Sequence, residues 1–142
     1  MSLGFGVGDI MVILGLARKV RAAYKDAPDD YTNISDEVKS LQIIIKKAVQ
    51  HFESSTLSEN NLQEGQEVLR GCQKVLEDLN ALIENYNPLA STNTNQIFQR
   101  IRLGTEDVTT LRVRLITHIC LLNSFIQRFD ISTITISINI YF

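Results

Sequence analysis

The stretch NISDEVKSLQIIIKKAVQHFE, residues 33–53, decides the fold. Its apolar positions Ile34, Val38, Leu41, Ile45, Ala48 and Phe52 are separated by four and three residues in turn. Positions spaced this way line one face of a helix, because a turn takes 3.6 residues. The sustained alternation is a heptad seam, the pattern by which one helix packs along another. Asn33 or Ser35 is suited to cap the start. Asp36 and Glu37 then fall in the first turn, where the positive end of the helix dipole favours carboxylates.

The same spacing recurs on both sides. A first segment, from about 7 to 25, sets Val7, Ile10, Leu14, Ala17 and Tyr24 near one face. Ala27-Pro28-Asp29-Asp30 ends it, since proline disfavours helix in the residue before it. Beyond the central stretch, residues 54–56 and Ser58-Glu59-Asn60-Asn61 read as a loop. A third helix follows on Leu69, Cys72, Leu76, Leu79, Ile83 and Tyr86, stopped by Asn87-Pro88 and a polar linker over 91–95. The last helical region, about 96–129, carries Val108, Leu111, Leu115, His118, Leu122, Phe125 and Phe129, broadened by Ile119 and Ile126. Gly104-Thr105-Glu106-Asp107 is placed to divide it into a short and a long helix. Long amphipathic helices joined by short loops predict an all-α fold, an antiparallel four- to five-helix bundle.

Residues 1–129 make up the expected bundle domain, and 130–142 stand apart as an Ile-rich tail. There Ile134, Ile136, Ile138 and Ile140 alternate in a β-branched, uncharged run, the pattern of a strand with no sheet to join. A pairing segment of the amyloid type has this signature. We favour the plainer expectation, an atypical end produced by truncation or read-through of the coding sequence.

Composition narrows the function. Charged residues are 21% and hydrophobic residues 44% of the 142, the usage of a globular domain rather than a disordered chain. The net charge of −2 argues against nucleic acid as partner, since phosphate-binding domains carry a basic excess. Charge is unevenly placed: Arg18, Lys19, Arg21 and Lys25 face only Asp9 in the first 25 residues, whereas residues 53–84 hold seven carboxylates against Arg70 and Lys74. The two cysteines, Cys72 and Cys120, fall on apolar faces at unrelated spacing, and are expected as buried, reduced thiols in a cytoplasmic protein.

Catalysis finds no foothold. Gly4-x-Gly6-x-Gly8 lacks the spacing, the preceding strand and the Lys-Ser/Thr pair of a phosphate loop. His51 and His118 lie on different helices, with no Cys or carboxylate at ligand spacing. They are expected as core or boundary histidines, with no metal and no cofactor. Neither lies near a plausible nucleophile, so no enzyme is expected. Arg100, Arg102, Arg112, Arg114 and Arg128 flank the fourth stripe and are expected as a solvated face with partners such as Glu106; a lipid- or partner-facing patch is the sharper alternative.

The chain start is the exception to this plainness. MSLGFGVGDIMVILGL has one charge, Asp9, and a basic run follows at once. Such a segment either docks into a helical core or meets a membrane, although as a helix it is shorter than the ~20 apolar residues needed to span one. In the membrane reading, Leu3, Phe5, Val7, Ile10, Met11, Ile13, Leu14 and Leu16 enter lipid or a partner, and Arg18, Lys19 and Arg21 contact headgroups.

Two stretches carry a family resemblance. The first is Gly4-Phe5-Gly6-Val7-Gly8-Asp9, then Lys25-Asp26-Ala27-Pro28, then Glu37-Val38-x-x-Leu41. The second runs from Arg102-Leu103-Gly104-Thr105-Glu106-Asp107-Val108 through Leu111-Arg112-x-Arg114-Leu115 to Leu121-Leu122-Asn123-x-Phe125. In this order they resemble the fungal N-terminal domain of STAND-type (NLR-like) and ankyrin-repeat proteins, a HeLo-like helical domain. The resemblance covers about residues 1–129. It implies the signalling end of an immune or heterokaryon-incompatibility receptor, a class tied to programmed cell death. Some relatives push an N-terminal helix into the membrane. The implied partners are a second copy of the chain or a fungal NLR-like receptor, with membrane association on activation. The alternative is a non-catalytic structural or protein-interaction bundle that never touches lipid.

Overall fold

A computed structural model describes residues 7–25, 27, 31–53, 59–86 and 108–141. These form four helices and, among the described residues, no strand: α1 (Val7–Tyr24), α2 (Thr32–Glu53), α3 (Glu59–Tyr86) and α4 (Val108–Tyr141). The all-α bundle stands. The segment bearing Gly104-Thr105-Glu106-Asp107, the linker over 91–95, Pro28 and its aspartates, and residues 54–58 lie outside the described residues.

The α2 seam is the backbone of the core. Ile34, Val38, Leu41, Ile45 and Ala48 are all fully buried, which is what a 4-3 spacing dictates once neighbours cover one face. On α3, Leu69, Cys72, Leu76 and Leu79 are buried as their spacing predicts, with Val75 and Leu82 added. On α4 the buried set is Leu115, Leu122, Phe125 and Ile126, with Leu111 and Ile119 packed at its edge. On α1 the buried face is Ile10, Ile13, Ala17, Val20 and Tyr24, so Ile13 and Val20 take the place expected for Leu14, which is only half-buried.

α1 packs on α2 and α3, and α4 packs on the same two, so α2 and α3 sit on a diagonal although adjacent in sequence. Arg128 pairs with Glu64 at 2.8 Å and Arg114 with Asp78 at 2.8 Å, which makes α3 and α4 run in opposite senses. Across the α2–α4 contact, Arg112 clasps Glu37: Nη2 lies 2.6 Å from Oε1, and Nε lies 3.2 and 3.3 Å from the two oxygens. The half-buried fork is stronger than a single exposed ion pair because the guanidinium plane matches the carboxylate. The arginines of α4 are therefore ties to other helices rather than a solvated face with partners on their own helix; Arg100 and Arg102 lie outside the described residues.

Three local expectations are corrected. α2 begins at Thr32, one residue before Asn33 and three before Ser35, which leaves Asp36 and Glu37 past its first turn. The Ser35 hydroxyl instead donates to the Arg21 carbonyl at 3.3 Å, and the Ala27 amide donates to the Tyr24 carbonyl at 3.2 Å. Both satisfy carbonyls that the end of α1 leaves without an intrahelical partner. The Thr32 hydroxyl holds the same corner by donating to the Ala27 carbonyl. Second, Glu59, Asn60 and Asn61 belong to α3 rather than to the loop, with Glu59 placed to favour the dipole of its first turn. Third, α4 runs on through the Ile-rich tail to Tyr141. Extending an existing helix costs far less than nucleating one, so a β-branched run can follow the helix it is attached to.

Candidate functional site on the first helix

The first turns of α1 carry apolar side chains on more than one face. Ile10 and Ile13 point inward, 7% and 0% exposed, while Met11 and Val12 between them are 56% and 58% exposed. Leu14 and Leu16 are half-buried and packed on the core. Val7 opens the helix, and Leu3 and Phe5 lie outside the described residues. The segment expected to act as one unit is thus divided by packing. Ile10, Ile13 and partly Leu14 and Leu16 belong to the core, and Met11 remains outside with Val12. No described helix is long and apolar enough to cross a membrane.

The three cations expected to act together also part. Lys19 Nζ reaches Glu84 on α3 at 3.2 Å, a pair 60% exposed on each side. The Lys19 hydrogen bond and then that of Asn80 hold the Glu84 carboxyl below its usual range. Arg21 turns toward α2, where Nη1 donates to Gln42 Oε1 at 3.0 Å; Gln42 is the one buried polar side chain among the described residues. Arg18 stays in solvent.

Arg18 and Arg21 instead line a cleft between α1 and α2 with a volume of about 400 Å³. Lys25 and Lys39 complete its basic lining, Asp36 is the one carboxylate among the described residues that line it, and Ala22, Thr32 and Ser35 supply the small walls. Positions 18, 21 and 22 share one face of α1, with Lys25 in the turn just past its end, and 32, 35, 36 and 39 share one face of α2, because residues three and four apart are neighbours on a helix. Met11 and Arg18 are seven residues apart, so one line along α1 runs from an exposed apolar side chain to a cation, and Lys25 follows in the turn beyond.

Comparison with known proteins returns nothing. No family model matches the chain, and neither does any curated protein or solved structure.

The remaining reactive groups are built into packing. Cys72 is buried, and burial pushes its thiol up to about 12. Cys120, expected to be buried, is exposed: it falls on the face of α4 turned away from Leu115 and Leu122. His118 is half-buried, and its Nδ1 donates to the Arg114 carbonyl at 2.7 Å; the side chain of His51 lies outside the described residues. Among the described residues no cluster of three His, Cys, Asp or Glu could hold a metal ion. Sequence reasoning placed Lys25 in the basic run without giving it a site role, and missed Lys39 and Gln42. The signal for Lys25 was present in its heptad step from Arg18, whereas Lys39 and Gln42 needed the packing of α2 on α1.

Proposed function

We propose that this bundle is the N-terminal signalling domain of a fungal NLR-like immune or incompatibility protein, HeLo-like in kind. It is non-catalytic, resides in the cytoplasm, and acts by self-association followed by entry of α1 into the membrane. Its partners are further copies of itself or an NLR-like receptor. The observation that carries this reading is the apolar surface around α1. A helix that only packs on a core needs one apolar stripe, yet Met11 and Val12 are exposed beside the buried Ile10 and Ile13. In water that extra surface is unfavourable, and at a bilayer each large apolar group gains ~1.5–3 kcal/mol on burial. The cations that follow would add ~1 kcal/mol each near anionic lipid.

The core roles of Ile10 and Ile13 also support a second reading, a purely structural or protein-interaction bundle in which α1 never leaves. The two separate in a leakage assay on anionic liposomes, with the protein clustered through a fused trimeric tag. Met11→Asp with Val12→Asp keeps the fold, since both side chains are exposed, and should abolish leakage. Ile43→Asp, an equally exposed apolar position on α2, should leave it intact. Leakage by the α1 double variant equal to wild type, or none from any form, favours the structural bundle. Ile10→Asp is a poor test because it unfolds the core it belongs to.

A further inference from the structure

The α1–α2 cleft has a charge that the fold does not require. Among the described residues that line it, four cations, Arg18, Arg21, Lys25 and Lys39, face one carboxylate, Asp36, in a chain whose net charge is −2. Five other described cations are paired: Lys19 with Glu84, Lys74 with Asp78, Arg112 with Glu37, Arg114 with Asp78, Arg128 with Glu64. Arg18, Lys25 and Lys39 make no ion pair with any described residue, and folding brings them together from two helices. Like charges gathered in a concave site raise the local potential and attract an anion.

We propose that this cleft binds a compact ligand carrying two or more phosphate groups. With Asp36 counted against the four cations the described lining keeps three positive charges, more than the roughly two negative charges of one phosphate monoester offset. Arg21 is held in place by Gln42, and a guanidinium so fixed presents its fork to phosphate oxygens without further ordering. The volume of about 400 Å³ fits a small ring or headgroup rather than a protein surface, within the roughly 300–1,000 Å³ of small-ligand sites. Such phosphates come either from a free metabolite or from a lipid headgroup. The lipid source rests on the membrane reading above, and the free source does not. Lys19 is not part of the site.

The test uses the full chain with soluble inositol trisphosphate in a calorimeter. A second arm uses phosphatidylcholine vesicles carrying either a phosphoinositide bisphosphate or phosphatidylserine, matched in total charge. Lys25→Glu with Lys39→Glu removes the cleft charge, and Lys46→Glu with Lys47→Glu makes the same change at exposed positions of α2 away from it. Wild type should bind the soluble trisphosphate, with affinity lost roughly tenfold or more in the cleft variant and kept within about twofold in the control. Phosphoinositide vesicles bound above serine vesicles assign the lipid source, and equal binding to both assigns the free one. No binding of the trisphosphate, or equal loss in the two double variants, overturns the proposal. Trisphosphate binding without any liposome leakage would sink the membrane reading and leave the cleft standing.

Discussion

The imidazole of His118 lies against the backbone of Gly71. A Cβ on Gly71 would come 2.6 Å from Cδ2 of that ring, and nearer still to Nε2. The ring cannot swing aside freely, since Nδ1 is bonded to the Arg114 carbonyl at 2.7 Å. Glycine at position 71 therefore sets how closely α3 and α4 approach.

In the interior of a helix, Gly→Ala ordinarily stabilises by ~1 kcal/mol. Here the sign should reverse, because overpacking of this kind costs ~1–3 kcal/mol. Gly71→Ala should lower the melting temperature, and adding His118→Ala should restore much of the loss. A double-mutant cycle by chemical denaturation measures the coupling. Additive effects would show that the ring yields without strain.

The buried seams should tolerate little. Leu41→Ala, Leu79→Ala and Leu115→Ala each empty a site that is 0% exposed and should cost ~2–5 kcal/mol. Lys46→Ala, on the exposed side of α2, should stay within ~0.5 kcal/mol. Urea titrations that found the two classes alike would contradict the burial pattern.

Tyr24 crosses from α1 to α3, its hydroxyl donating to the Leu79 carbonyl at 3.0 Å. Tyr24→Phe should cost ~0.5–1.5 kcal/mol at neutral pH, the net value of a typical hydrogen bond. Burial, and after it the neighbouring Tyr31, raise the phenol above its ordinary range. The folded state thus holds this proton more tightly than the unfolded one. Its contribution is complete below the unfolded tyrosine value of ~10 and is lost as pH rises through that value toward the folded one. The loss of stability between about pH 9 and 12 should be shallower in Tyr24→Phe than in wild type.

The thiols should differ in kind. Burial raises the Cys72 thiol well above its ordinary range, so little of it is thiolate at pH 8, and it is out of reach of solvent as well. Cys120 is exposed. A disulfide reagent added to the native protein should titrate one thiol promptly, and the second only when denaturant is added. Two prompt thiols would mean that α3 opens readily around Cys72.

Much of the bundle was legible because helical burial is periodic. The alternation from Ile34 to Ala48, and that from Leu69 to Leu79, needs only 3.6 residues per turn and the exclusion of apolar groups from water. The candidate site was less legible. In α1 every position from Ile10 to Leu16 is apolar or glycine, so a period could not separate Ile13 from Leu14, or Ile10 from Met11.

What the chain determined by itself was therefore the presence of the four described helices, though not where each ends, and the inward faces of α2 and α3, since both follow from local spacing. Tertiary packing decided the rest, because each case depends on which helix lies opposite. It buried Ile13 and left Met11 outside, turned Lys19 to Glu84, and tied Arg112 to Glu37 across 75 residues. It also set Lys39 beside Arg18 in one cleft and Gly71 under His118. Charge and contact act through space, and sequence separation does not say which side chains will meet.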